Sequence, residues 1–495
     1  MKIKNARVLQ FLLFFMFFLL NCSGGQNKNL METGREPVIE PDYSGVTVPF
    51  NIAPMNFTIK EQGSTFRIKV TSESGHQLLI KSSDGIVRFP EKSWKELLSD
   101  VNSKKIQIEI SSENKEKGQA IFKPIYLFVA KEPIDPYLCY RLLYPGYETY
   151  FQIKIIQRCL ENFEETSVVE NQLVKNNCVN CHSFNQNNPE KFLLHVRGSM
   201  GGTYFIDGKK IIKTDLKTKE MAFGAVYPAW HPGGRYVTFS SNNIVQSFYN
   251  SPQNNIEVTD LGSSLVLYDS EKNEMLSIRE ASDTLKVMDT FPDWSPDGKY
   301  LYYCSAKQVN DSSDIKKIKY NLVRRSFDQA SMSFGKTEII FDALSINKSV
   351  SFPRISPDGQ YLVFTLHDYG NFSIWHKEAD LYLLNLRNGK TNKMSLNSDE
   401  TESYHSWSSN SKWLVFSSKR GDGLTARPYF AYLNTPDQVG KPFVLPQKDP
   451  GLYKRMVKTY NRPEFITGKI KVGPRDFEVA AKGEPVKANW VEHIK

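Results

Sequence analysis

The sequence predicts a mainly β protein: an N-terminal β-sandwich-like domain, a small connector that carries the chemistry, and a C-terminal β-propeller. Three observations support this reading. A turn followed by an alternating strand recurs four times, as PAWHPGGRYVTFSS (228–241), PDWSPDGKYLYYCS (292–305), PRISPDGQYLVFTL (353–366) and HSWSSNSKWLVFSS (405–418). Such a unit is too small to bury its own apolar face, so copies must stack around an axis, and radial stacking of four-stranded sheets leaves only short, protected edges. Upstream, short runs of alternating polar and apolar residues are separated by turn residues. The composition, 40% hydrophobic and 13% aromatic with 25 prolines and 29 glycines, fits a folded, turn-rich chain better than a disordered one.

A chain of 495 residues exceeds what one hydrophobic core serves. Residues 1–21 read as a secretion signal. Lys2, Lys4 and Arg7 precede the apolar run VLQFLLFFMFFLL, which is too short to span a bilayer comfortably. It ends in Leu19-Leu20-Asn21-Cys22, which resembles a bacterial lipobox, with Asn21 standing where Gly, Ala or Ser is usual. That resemblance implies acylation of Cys22 and stable attachment to a membrane through its acyl chains. Ser23 after the cysteine implies, by likeness to the sorting rule of enteric bacteria, the outer membrane of the cell envelope.

Residues 22–42 are polar and interrupted by Pro and Gly, as a tether would be. Residues 43–131 hold the strand-like pieces TFRIKVTS, HQLLIKSS, KIQIEISS and AIFKPIYLFVA with one helix-like piece, EKSWKELLSDV, and fit a small β-sandwich. Residues 132–200 form the connector. Residues 201–440 hold the propeller repeats, and 441–495 a closing segment that could be a short helix sealing the propeller or packing on the connector.

The W/I-S-P-D-G-K/Q-Y-L pattern, clearest at Trp294 to Leu301 and Ile355 to Leu362, resembles the WD40-like repeats of TolB-type propellers. The copies at His231-Pro232-Gly233-Gly234 and Ser408-Ser409-Asn410-Ser411 are degraded, so five to seven blades fit the length. Asp297 and Asp358 precede Gly at a tight turn, where their expected role is to form that turn.

The connector contains Cys178-Val179-Asn180-Cys181-His182, a C-x-x-C-H motif. Six cysteines and eight histidines among 495 residues would give this spacing by chance about 0.001 times. Its chemistry is that of haem c: Cys178 and Cys181 form thioethers to the two vinyl groups, and His182 is the axial iron ligand. Export favours this reading, because haem c is attached outside the cytoplasm. FLLHVRG reads as a strand with His195 and Arg197 on one face, which offers a sixth ligand and a guanidinium for a haem propionate. His195, slightly preferred, or Met200 would be that sixth ligand. A disulfide or thiol redox pair, a zinc site, or an unused motif remain as alternatives. A thioredoxin-like site lacks its βαβ context, and zinc lacks a second C-x-x-C or H-x₃₋₅-H. Cys139 and Cys159 could pair if the chain folds back around Pro145-Gly146. The segment PYLCYRLLYPGYETY, CVNCHSF and HVRG together resemble the linker of Bacteroidetes-type lipoproteins that join one haem motif to a TolB-like propeller, which implies a bacterial envelope protein without assigning a reaction.

The net charge of +9 falls to +6 once the three cations of the signal are removed, a mild excess with no dense Lys/Arg run, and no nucleic-acid partner is expected. Peptidases that follow such propellers with an α/β-hydrolase domain need a G-x-S-x-G elbow, and the chain has none. The expected function is therefore an envelope lipoprotein whose propeller recognises a protein or ligand and whose single haem c serves electron transfer or redox sensing. The alternative is a non-redox scaffold in which the C-x-x-C is structural.

Overall fold

A computed structural model of the chain describes residues 30–99, 104–114, 118–145, 152–248, 256–279, 286–308, 312–435 and 438–492, with Cys181 described by its backbone alone. The signal and Cys22 lie outside the described residues. The protein is mainly β and carries a β-propeller. Residues 30–42, expected as tether, already contribute two short strands, Leu30–Glu32 and Ile39–Glu40.

The N-terminal part is a seven-stranded sheet and a three-stranded sheet with the helix Glu91–Ser99. Alternation dictates which face is buried: Phe66, Ile68 and Val70 of Thr65–Ser72 and Ile106, Ile108 and Ile110 of Lys105–Asn114 point inward. Their core runs without a break into the propeller, through Trp413, Phe430, Phe443, Tyr460 and Phe465.

Among the described residues six sheets surround one axis. Their innermost strands are β1 (Cys178–Phe184), β2 (Ala225–Trp230), β3 (Val287–Trp294), β4 (Ser349–Ile355), β5 (Glu402–Trp407) and β6 (Thr459–Ile466), and each contacts the next around a closed ring. Five blades are built by consecutive antiparallel strands. The sixth is shared: β6 comes from the C-terminal side and pairs antiparallel with Tyr137–Leu143, followed outward by Lys154–Cys159 and Glu165–Glu170. Segment 132–200, expected as a connector, thus supplies three strands of blade six and the first two of blade one. The tail beyond β6 places the helix Pro474–Lys482 against Tyr204 through Phe477. Its last residues add short parallel strands to the rims of blades one and two.

The repeat has a physical basis at both ends of each inner strand. At the turn, Asp297 and Asp358 accept hydrogen bonds from Ser295 and Ser356 (2.6 Å each), and Gly298 and Gly359 take positive φ. In the degraded copy Ser411 adopts φ 61° and Asn410 replaces the aspartate. At the centre, each of β2 to β6 is bulged next to one left-handed residue: Tyr227, Phe291, Phe352, Tyr404 and Arg462, with φ of 48° to 52°. The tryptophans lock blade to blade, Trp230 Nε1 donating to Ser183 O (3.1 Å) and Trp407 Nε1 to Arg354 O (3.0 Å).

Cys139 and Cys159 do lie on one hairpin, but both are free buried thiols. Cys139 stands opposite Gln157 and Cys159 opposite Tyr137, a diagonal offset that holds the two Cα atoms beyond disulfide reach. Cys304 is buried within Tyr300–Lys307.

Ring closure depends on β6, and Phe465 is its fully buried anchor, packed 5.8 Å from Phe430. Phe465→Ala should cost about 3–5 kcal/mol in urea unfolding. A loss below about 1 kcal/mol would show that closure does not rest on this strand.

Candidate functional site

The C-x-x-C-H motif is the inner strand of blade one. The ladder from β1 to Lys191–Arg197 slips between Asn180 and Ser183, as the sister strands slip between Val226 and Ala229, Thr290 and Asp293, and Ser351 and Arg354. By that register Cys181 holds the place of Tyr227, Phe291, Phe352, Tyr404 and Arg462. His182 holds the place of Pro228, Pro292, Pro353, His405 and Pro463. The aromatic members form a belt around the channel, with ring centroids 4.8 Å apart for Tyr227 and Phe291, 4.0 Å for Phe291 and Phe352, and 4.8 Å for Phe352 and Tyr404. The Cys181 side chain lies outside the described residues.

Above this belt the channel opens into a cavity of about 290 Å³. Cys178 and Asn180, which share a face because they are two residues apart on a strand, lie on its wall. Opposite them on the neighbouring strand stand Arg197 and His195. Arg197 reaches the wall, and Arg141 and Arg462 of blade six join it. Arg141 donates to the Asn180 carbonyl, while its Nε, one Nη of Arg462 and the Asn461 carbonyl are buried with no hydrogen-bond partner. The facing half of the wall is apolar, built by Tyr227, Phe352, Phe372 and the hairpin residues Ile244, Phe248 and Ile256. Among the described residues the lining contains no Asp or Glu. A narrow waist at Phe352, Tyr404 and Arg462 separates this cavity from a second one at the other mouth of the channel, which is lined by Trp230, Trp294, Trp407 and the Asp293–Arg354 ion pair (3.2 Å).

His182 is 1% exposed, and neither ring nitrogen has a hydrogen-bond partner of normal geometry. Burial, and then the Arg462 and Arg141 guanidiniums, push its pKa down to about 3, so the ring is neutral. Its sister His405 has one nitrogen satisfied, with Nε2 2.8 Å from the Val363 carbonyl. The structure does not bring the two expected sixth ligands to the cavity. His195 Nδ1 is 3.1 Å from Thr203 Oγ1, and Met200 is packed in the blade-one core with its amide bonded to Asn177. Among the described residues no group of three or more His, Cys, Asp or Glu is arranged to hold a metal ion.

The residues present fit a c-type haem on three counts. Cys178 lies on the wall, Arg141 Nε and one Nη of Arg462 are buried without a hydrogen-bond partner, and a neutral imidazole follows the second cysteine in sequence. Arg141, Asn461 and Arg462 were not singled out in the sequence. The signal for them was the repeat itself, since Arg462-Pro463-Glu464-Phe465 follows the pattern of Phe291-Pro292-Asp293-Trp294.

No family model matches the chain, and no curated protein matches it. Among solved structures it is similar to Kuenenia stuttgartiensis hydrazine synthase (14% identity over 52% of this chain and 64% of that one, TM-score 0.32). It is also similar to a Mycobacterium tuberculosis puromycin-hydrolyzing peptidase (11%, 70% and 51%, 0.36) and the β-propeller domain of Myceliophteria thermophila Cps50 (10%, 64% and 90%, 0.32). The chain thus spans less than two thirds of the length of the first two, and at these scores the likeness carries no argument about activity.

His405 shows how the inner-strand position responds to acid. Burial holds its pKa near 3, against 6.5 when exposed, so its stabilising effect is complete above pH 6.5 and is lost as pH falls toward 3. His405→Gln should therefore flatten the decline of the urea midpoint below pH 6.5, by up to about 1.4 kcal/mol per pH unit. An unchanged slope would show that His405 titrates normally in the folded chain.

Proposed function

We propose that the protein is an exported, lipid-anchored envelope protein whose propeller holds one covalently attached haem c at the mouth of its channel, for electron transfer or redox sensing. The observation that carries this reading is the Cys178 thiol on the wall of a cavity that is cationic on one side and aromatic on the other. A c-type haem supplies a one-electron couple. The chain's own residues do the rest. Cys178 and Cys181 would tether the macrocycle, and neutral His182 would offer a nitrogen to iron. Arg197, Arg141 and Arg462 would pair the propionates, and the aromatic belt would exclude water from one face. The cationic wall would also favour the reduced state by opposing positive charge at the metal. Attachment through Cys22 would keep the protein at the outer membrane, and the propeller rim would meet a protein or envelope ligand.

One observation favours a non-redox binding scaffold instead. Cys181 and His182 stand at bulge positions that five sister strands fill with an aromatic residue or arginine followed by proline or histidine, so the pair can be read as blade architecture.

Expression with c-type maturation machinery, followed by a haem stain of the denatured chain, separates the two. Covalent haem is expected, with Cys178→Ala losing part of it. A chain that carries none, and that keeps normal partner binding when both cysteines are replaced, would establish the scaffold reading.

A further inference from the structure

Lys419, just past the outer end of the Trp413–Ser418 strand in blade five, lines the same upper cavity yet has no part in the haem reading. It is only 5% exposed. Among the described residues no carboxylate lies within ion-pair distance of its ammonium. The two acids that influence it from farther away are engaged elsewhere: Glu400 pairs with Lys377 at 2.9 Å, and Asp422 accepts from the Leu424 and Thr425 amides at 2.9 and 2.7 Å. Its one close polar neighbour is a π-face, with Nζ 4.0 Å from the centre of the Trp375 ring. Burial pushes the pKa of Lys419 down to about 8, the response of an ammonium left without a counterion. A buried, unpaired charge is costly, and a cavity wall is a place where a ligand can offset that cost. Ile374 and Leu424 add apolar surface to the same cavity wall as Trp375, and Leu424 is exposed.

We propose that the Lys419–Trp375 corner of the upper cavity is a binding site for the acid group of an amphipathic anion, with the ammonium pairing the acid and the aromatic wall taking the apolar body. The same chemistry has two sources, a propionate of haem held at Cys178 or a free aromatic or alkyl acid. The inference stands on this corner alone and not on haem attachment.

Calorimetric titration of the full mature chain with 2-naphthoate and with its uncharged isostere 2-naphthamide tests it. The titration is made on protein from c-type maturation and on the haem-free Cys178→Ala/Cys181→Ala variant. Lys419→Met should weaken naphthoate binding to the haem-free chain roughly tenfold or more, while Lys419→Arg stays within about threefold and naphthamide binding is unchanged. If the haem-loaded chain refuses naphthoate that the haem-free chain accepts, the natural acid is the haem's own propionate. If both accept it, the acid is a free ligand. Equal naphthoate affinity in Lys419→Met and the parent, or equal loss of naphthoate and naphthamide, would overturn the proposal. Absence of covalent haem would sink the haem reading and leave the naphthoate comparison intact.

Discussion

The pairing of β6 with Tyr137–Leu143 is the constraint on which the molecule depends. Six sheets arranged about an axis have two free ends until one blade takes strands from both sides of the chain. Here the last inner strand arrives about 300 residues after the strand it joins. The closure does more than seal the ring. It carries Asn461 and Arg462 to the side of Arg141 and sets all three beside β1, so the cationic wall of the cavity exists only in the closed propeller.

The same closure explains how a protein can hold so many buried positive groups. Arg462 and Lys419 are buried and Arg141 is half-buried, all on strands or strand ends that packing fixes in place. The cost of burying them is offset by the hydrophobic burial of the blades and by the core shared with the N-terminal sheets. What remains is a cavity whose wall holds unsatisfied donors and, among the described residues, no acid.

The inner strands show how one local rule serves several ends. A left-handed residue at the bulge turns a side chain toward the axis, and the following residue, usually proline, has no amide to satisfy. Aromatic residues at the bulge make a dry belt. Arg462 at the same place makes a charged one, and Cys181 occupies the same register position in β1. The motif and the repeat are therefore one feature. That was visible in principle, because CHSF and RPEF share the spacing of FPDW and FPRI, but the shared residues are too few to announce it without the register.

Several parts were determined by the sequence alone: the β class, the turn role of Asp297 and Asp358, the burial of Cys304, and the common face of His195 and Arg197. All follow from local periodicity and turn chemistry, which depend on neighbours a few residues apart. Only the tertiary structure decided that residues 132–200 supply blade strands, that Cys139 and Cys159 are offset along their hairpin beyond disulfide reach, and that His195 and Met200 do not line the cavity. It alone decided that Lys419 lines the same cavity as Cys178, with no carboxylate at ion-pair distance among the described residues. These facts depend on strand register and on contacts between residues hundreds of positions apart, and periodicity within one strand cannot encode which strand becomes its neighbour.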